Sequence, residues 1–330
     1  MPGVSRDQVE QARKLDLLSY LQAYEPHELK RDGPGRYTTE SHGSLVISNG
    51  KWIWNNGSVG GVSALDYLTK VRGVGFVEAV ELLTSECAAV RAYQETAKAQ
   101  PPPKKWPFHP PRPLRYSNGA VSYLQKRGIS PEVINRCIKA GILYESRYYN
   151  PESAYHNAAV CVFAGKNAQG EIKFAAMRGI DTDMKQDKAG SDKRYSFRIP
   201  TKNPDSRHLA VFEAPINALS HATLQHRGGW DWDGHRLSLG GTADVALIAF
   251  LERNPQISRV ILHLDNDEAG IKAARKIKAA LTADSRYSHL RVSVNPPRRG
   301  KDYNEVLLRA IRLERENKHQ SRREAAFSIL

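Results

Sequence analysis

From His208 onward, short apolar runs alternate with amphipathic stretches. "HLAVFE", "RLSLGGT", "RVILHLD" and "HLRVSVNPP" read as strands. "APINALSHATLQ", "ADVALIAFLERN" and the segment behind Asp267 read as helices. The run Val260, Ile261, Leu262, with Leu264 after it, has no polar alternation, which marks a strand buried on both faces. Ala273, Ala274, Ile277 and Leu281 then fall on one side of a helix. Strand–helix alternation predicts an α/β fold, a mostly parallel sheet flanked by helices.

The pattern upstream is different. "AVSYLQKRGISPEVINRCIKAGILY" predicts two short helices around a Gly-containing turn, and "AAVCVFAGKNAQGEIKFAAMRGI" a hairpin turning between Lys166 and Gly170. Residues 99–113, "AQPPPKKWPFHPPRP", cannot continue a helix or a central strand and read as a semi-rigid spacer. Before the spacer, helical periodicity covers 6–24, short strands are expected at 36–39, 45–48 and 51–54, and helices at 63–71 and 76–97. The expected division is a small α+β domain over 1–98, a Pro-rich linker over 99–114, an α+β basic subdomain over 115–204, an α/β domain over 205–305 and a charged helical tail over 306–330.

Charge narrows the partners. The 330 residues carry 49 Lys+Arg against 35 Asp+Glu, a net charge of +14. That balance favours a polyanion, most often nucleic acid, over a merely solvated basic surface. Cys87, Cys137 and Cys161 lie far apart with no CxxC pair, so neither a disulfide framework nor a cysteine zinc site is indicated. They read as core thiols of a reducing cytoplasm. No stretch reaches the ~18 apolar residues of a membrane span, and "MPGVSRDQVEQARK" has no apolar signal core. A cytoplasmic protein with no membrane partner is expected.

Against this basic background stand four acids at expected strand ends. Glu213 ends "LAVFE", Asp265 and Asp267 follow "VILHL", and Asp302 in "GKDYNE" follows the last strand. Ligands of open α/β sheets collect at the carboxyl ends of the strands, and clustered hard oxygens suit Mg²⁺ or Mn²⁺. Such an ion would serve phosphoryl transfer, with Glu213 as general base or further ligand. Each acid also has a plain reading. Asp265 or Asp267 could cap the following helix, Asp302 could cap or turn, and Glu213 could be a solvated strand end.

"VFEAPINALS", "LSLGGT", "LDNDEAG" and "GKDYNE" resemble, in this order, the motifs of a Toprim domain, shared by bacterial primases, type IA and type II topoisomerases and some nucleases. The resemblance covers about residues 205 to 305. It implies that Glu213 is the family's Glu, Asp265 and Asp267 its DxD pair, and Asp302 a further acid of the primases. Primases usually carry Asp four residues after the Glu, where this chain has Asn217, which leaves open how many metals bind. Upstream, "YLQKRGISPEVINRCIKAGILY" and "AGSDKRYSF" are similar to the subdomain preceding Toprim in DnaG-type primases, and closer still to an uncharacterised domain fused to Toprim in proteins of plasmids and integrative elements. The resemblance implies that Arg127, Arg178, Lys193 and Arg194 hold nucleic-acid or nucleotide phosphates. The alternative is that Arg127 and Arg178, each beside a glycine, brace turns.

Residues 14–84 resemble the primase zinc-ribbon module in its flanks alone. Thr39-Glu40-Ser41-His42 stands for the Cys-Pro-x-His knuckle, and Asn55 and Ser58 for CxxC. One His without thiolates makes no structural zinc site. Trp52, Ile53 and Trp54 are expected to fill that core, or an exposed Trp to stack on an unpaired base. The resemblance implies Mg²⁺-dependent nucleotidyl transfer on single-stranded DNA, with nucleotides as substrates and a helicase, relaxase or replication protein of the same mobile element as partner. A Toprim nuclease and a non-catalytic nucleic-acid-binding module are the alternatives.

Overall fold

Residues 3–33, 35–54, 57, 59–85, 107–151, 153–203, 205–229 and 232–327 are described by the structure, a computed structural model. The chain falls into two units, residues 1–105 and 106–330.

In the first unit, α1 (Arg6–Lys14) opens on a capping box: the Ser5 hydroxyl accepts from the Gln8 N–H and the Gln8 side chain from the Ser5 N–H. The expected continuous helix over 6–24 is broken. Leu15 is extended, and Asp16 starts α2 (Leu17–Tyr24) by accepting the Ser19 N–H at 2.9 Å. Five antiparallel strands follow as a meander: β1 (Leu29–Gly33), β2 (Arg36–Thr39), β3 (Leu45–Ser48), β4 (Lys51–Trp54) and β5 (Val59–Gly61). The sequences "LKRDG" and "VGG" of β1 and β5 lack apolar alternation, so the pattern missed both. Next come α3 (Ala64–Lys70), with Ser63 as its cap, and α4 (Phe76–Ser85). Residues 86–97 of the longer expected helix, and Cys87, lie outside the described residues.

Leu17, Leu21, Leu45, Ile47, Trp52, Tyr67 and Leu83 fill this unit's core. The aromatic expectation needs correction at one position. Trp52 is 1 % exposed and its indole N–H reaches the Ser63 carbonyl at 3.1 Å, but Ile53 is 57 % exposed. Successive strand residues face opposite ways, so one of the pair must point out. Trp54 packs against the core edge-on to His42, 4.9 Å between ring centres. At the position of the knuckle, Thr39 donates to the His42 carbonyl at 3.1 Å and Ser41 to Glu28 at 2.6 Å. Asn55 and Ser58 lie outside the described residues.

In the second unit, α5 (Asn118–Lys126) and α6 (Pro131–Lys139) precede a four-stranded antiparallel sheet, β6 (Leu143–Arg147), β7 (Ala159–Lys166), β8 (Ile172–Gly179) and β9 (Lys185–Asp187). A 3₁₀ turn at Lys193–Tyr195 leads to the second sheet. Its order is β10 (Arg198–Ile199), β12 (Gly234–Ser238), β11 (His208–Phe212), β13 (Arg259–Leu262), β14 (Arg291–Val294). All pairs in it are parallel except β10 with β12, as the strand–helix alternation requires. Its helices are α7 (Pro215–Gly228), α8 (Val245–Arg253), α9 (Glu268–Ala283) and α10 (Tyr303–Phe327).

The sheet has two apolar faces. Leu209, Val211, Val260 and Leu262 pack under α8 and α9. Ala210 and Phe212 pack with α7, with Phe163 and Phe197, and with Leu307 of α10, which is fully buried. The two sheets of this unit therefore share one core. Among the described residues no helix is long and apolar enough to cross a membrane.

Burial decides what each tryptophan-strand residue is worth. Trp52→Ala should destabilise the first unit by about 3–5 kcal/mol, and Ile53→Ala by less than about 0.5 kcal/mol. Urea unfolding of the full chain, followed by tryptophan fluorescence and circular dichroism, checks the pair; equal losses would contradict this packing.

Candidate metal and phosphate site

The neighbours β11 and β13 run parallel in register, Val211 opposite Leu262, so Glu213 and Asp265 leave the sheet at the same carboxyl edge. Pro215 opens α7 at a position that has no helical N–H partner to lose. Asp267 is the N-cap of α9 and accepts the Gly270 N–H at 2.9 Å. A Cβ on Gly270 would lie 2.2 Å from the Asp265 carbonyl oxygen, so only glycine lets the helix come this close to the Asp265–Asp267 loop. Three backbone ties fix the surrounding loops. Asn266 N–H donates to the Lys301 carbonyl at 2.7 Å, Gly241 N–H to the Glu213 carbonyl at 3.1 Å, and Lys301 N–H to the Glu305 carboxylate at 2.7 Å. Asp302 accepts the Glu305 N–H at 2.9 Å in the first turn of α10.

The plain cap reading thus holds for Asp267 and Asp302. Asp265 caps nothing; its Oδ1 accepts from the Asn217 side-chain amide at 2.8 Å, and Asn217 is 2 % exposed. Glu213 is more unusual still, because among the described residues its buried Oε2 has no hydrogen-bond partner. Burial, then the charge of Asp267, raises the Glu213 pKa. Burial, then Glu213, Asp302 and Asp267, pushes Asp265 up to about 7. The Gly270 N–H and the Lys301 ammonium, 3.1 Å from its Oδ2, hold Asp267 low instead. Lys301 was not singled out in the sequence, although it stands inside the "GKDYNE" motif.

The basic residues divide. Arg178 is largely buried on β8, and burial lowers its pKa while the Asp187 charge and Tyr123 hold it up. The Arg127 guanidinium lies 5.0 Å from the centre of the Tyr123 ring, and its carbonyl accepts from Asn304 at 2.8 Å. Lys193 pairs with Asp187 at 3.4 Å and donates to the Gly240 carbonyl at 3.0 Å. Gly240 adjoins Gly241, which binds Glu213, so Arg127, Arg178 and Lys193 form an arm ending beside the acids. Arg194 does not join it. Its guanidinium is paired with Asp192 at 2.7 Å, and its carbonyl accepts from Arg253.

Among the described residues no three His, Cys, Asp or Glu side chains stand as a ready-made ion cage. The carboxylates are turned to local partners instead: Asp265 to Asn217, Asp267 to Gly270 and Lys301, Asp302 to Glu305. The donor set still fits a hard divalent cation. All its atoms are oxygens, one is an orphaned buried carboxylate oxygen, and two acids are pushed toward protonation by burial and by the charges of neighbouring carboxylates.

Residues 210–307 match the family described as Toprim-like. Residues 122–203 match a family described as a protein of unknown function, DUF3991. The Toprim resemblance read from the motifs stands, and the chain carries a Toprim-like domain. Among curated proteins none matches. The chain is similar to the solved primase fragment of the bacteriophage T7 primase-helicase protein, at 22 % identity and TM-score 0.43 over 66 % of this chain and 82 % of that one. It is also similar to the DnaG catalytic core, at 17 % identity and TM-score 0.40 over 62 % and 74 %. For the E. coli primase catalytic core the identity is 18 % and the TM-score 0.40, over 59 % and 70 %.

The crowding of the acids predicts a pH signature. An acid whose pKa is raised by folding, here from 3.8 to about 7 for Asp265, costs stability as pH rises through that window. Metal-free wild type should therefore lose stability between about pH 4 and pH 7, relative to Asp265→Asn. Above pH 7 the variant should be the more stable, by roughly 1 kcal/mol once solvent screening is allowed for. Thermal unfolding in EDTA across that range tests the sign; parallel curves would show that Asp265 ionises at its ordinary pKa.

Proposed function

We propose that this chain is a primase-like nucleotidyltransferase that extends nucleotides on single-stranded DNA with Mg²⁺ or Mn²⁺. The observation that carries the reading is the orphaned, buried Glu213 oxygen among three further acids at the carboxyl ends of parallel strands. In it, Asp265 and Asp267 hold the cation, Glu213 and Asp302 complete the set, and Asn217 fixes the Asp265 carboxylate. A divalent cation bound there would supply charge neutralisation on the transferring phosphoryl group.

The side chains themselves bind and orient. Arg127, Arg178 and Lys193 align phosphates along the arm that ends at Gly240. Guanidinium forks suit phosphate oxygens, and the ammonium acts as a point charge. Glu213, its pKa raised by burial, is placed to take a proton from an attacking hydroxyl. Lys301 holds Asp267 ionised. Arg194, paired with Asp192, takes no part. The reading includes cytoplasmic replication or transfer of a mobile genetic element, since the Toprim-like and preceding segments together resemble proteins of plasmids and integrative elements. A helicase, relaxase or replication protein of that element would be the partner.

A second reading, a non-catalytic nucleic-acid-binding module, is favoured by two contacts. Asn217 satisfies Asp265 without a cation, and Lys301 does the same for Asp267.

One assay separates these readings. With Mg²⁺, ribonucleotides and single-stranded DNA, labelled products should lengthen. Asp265→Asn and Glu213→Gln should each lower synthesis by roughly 10²–10³-fold, the scale of removing a preorganised electrostatic group. A template that shortens would make the protein a nuclease. No product, together with no heat on calorimetric titration with Mn²⁺, would leave the binding module.

Binding should also report the arm. Lys193→Glu and Arg178→Gln should each reduce the slope of log affinity for single-stranded DNA against log salt by about 0.7 per lost phosphate contact. Unchanged slopes would move the nucleic acid to another face.

A further inference from the structure

A second constellation lies away from the acids, among α6, the latter half of α7, the middle of β12 and the loop 200–203. There a cavity of about 460 Å³ is lined by Arg136, Arg236, Gln225, Lys202 and Trp232, among others. Arg236 stands on β12 and is 5 % exposed. Its Nε donates to His221 Nδ1 at 3.1 Å and its Nη2 to the Gln225 side-chain oxygen. Both acceptors are neutral, since burial holds the His221 pKa well below its usual value. Among the described residues neither the Arg236 nor the Arg136 guanidinium has a carboxylate partner.

Two acids do line the cavity, and both are engaged elsewhere. Asp233 accepts from Thr201 at 3.3 Å and Asn203 at 3.1 Å, and Glu132 lies 3.6 Å from the His226 ring at the exposed rim. A buried cation without a counter-charge is costly. Burial, and then the Arg136 charge, pull the Arg236 pKa down to about 9. The unmade bonds around the cavity point the same way. Among the described residues Arg136 Nε and Trp232 Nε1 are both buried without partners, and both are donors. A ligand that satisfies them must be an acceptor, and one that also settles two guanidiniums must be an anion.

We propose that this cavity is an oxyanion site that binds the phosphate of a nucleotide, clamped between Arg136 and Arg236, at a place separate from the acid cluster. Its volume is in the range of small-molecule sites, roughly 300–1,000 Å³, so it has room for more than one phosphate group. The sequence offered little signal: Arg136 sits in an ordinary amphipathic helix, and Arg236 is simply the first residue of the strand segment "RLSLGGT".

The test is calorimetric titration of the full chain with inorganic pyrophosphate and with ATP, both in EDTA so that no cation serves the acid cluster. Wild type should bind one equivalent of each. Arg136→Gln and Arg236→Gln should each weaken binding at least about 10-fold, the scale of a lost charge-assisted hydrogen bond. Arg291→Gln, exposed on the outer strand β14, should bind pyrophosphate as wild type does. Arg136 is only half-buried, so its variant keeps the test decisive if Arg236→Gln does not fold. Failure of wild type to bind, unaltered binding by Arg136→Gln, or an equal loss in Arg291→Gln would each overturn the assignment. A single-stranded oligonucleotide that displaces pyrophosphate from wild type would identify the phosphate as backbone; one that does not would identify it as a free nucleotide. The synthesis assay can fail while this site binds, so the two proposals fall separately.

Discussion

Repulsion among four carboxylates sets the terms for the Toprim-like domain. Glu213, Asp265, Asp267 and Asp302 each feel at least one of the others, and one ammonium, Lys301, stands against them. In water such side chains would swing apart. Here the backbone denies them that. Parallel pairing of β11 with β13 brings Glu213 and Asp265 to one edge, and the missing Cβ of Gly270 lets α9 press against the Asp265 carbonyl. The tie from Asn266 to Lys301 holds the last loop, and Asp302 with it, on the same side. The cost appears as raised pKa values where burial is greatest and vanishes where helix N–H groups compensate, as at Asp267. That asymmetry gives a site with one acid fully committed to its charge and two that a proton or a cation would relieve.

The positive arm answers the same constraint from the other sheet. Lys193 cannot neutralise the acids directly, because Asp187 and the Gly240 carbonyl already hold it. It instead fixes the glycine loop that binds the Glu213 carbonyl through Gly241. These side chains are already oriented, and preorganisation of this kind avoids the cost of reordering long side chains on binding. The common core of the two sheets, with Phe163 and Phe197 edge-to-face at 5.5 Å, keeps arm and acids in register.

Sequence periodicity conveyed most of this fold because the last third of the chain buries its strands on both faces, which leaves an unmistakable apolar signal in "AVF" and "VIL". The acids were legible for a topological reason: strand ends in a parallel sheet share an edge whatever the side chains are. What escaped were features decided by neighbours far along the chain. Lys301 acquires meaning only when Asp267 is placed beside it, and the Arg194 guanidinium is turned to Asp192, two residues away, by a matching fork. Strands β1 and β5 gave no pattern because they are short edge strands whose order comes from pairing. The failed reading of Ile53 is local: three bulky residues in a row on one strand cannot all face inward.

The middle of the unit explains how opposite charges can be stored in one small sheet. The acid cluster occupies the carboxyl edge, and Arg236, which has no carboxylate partner among the described residues, stands on β12, 5 % exposed. Between them stands a group of rings: Phe212, His221, His263 and Tyr303, with His263 stacked on Phe212 at 5.3 Å and on edge to Tyr303 at 5.1 Å. His263 precedes Asp265 by two residues and Tyr303 follows Asp302, so the rings connect to both acid loops. Burial pulls His263 down to about 4, and it holds His221 neutral as well. Had either imidazole been charged, it would have offset the acids and worsened the position of Arg236. Neutral rings do neither. They transmit packing without carrying charge, so they neither offset the acids at the carboxyl edge nor give the Arg236 guanidinium a counter-charge.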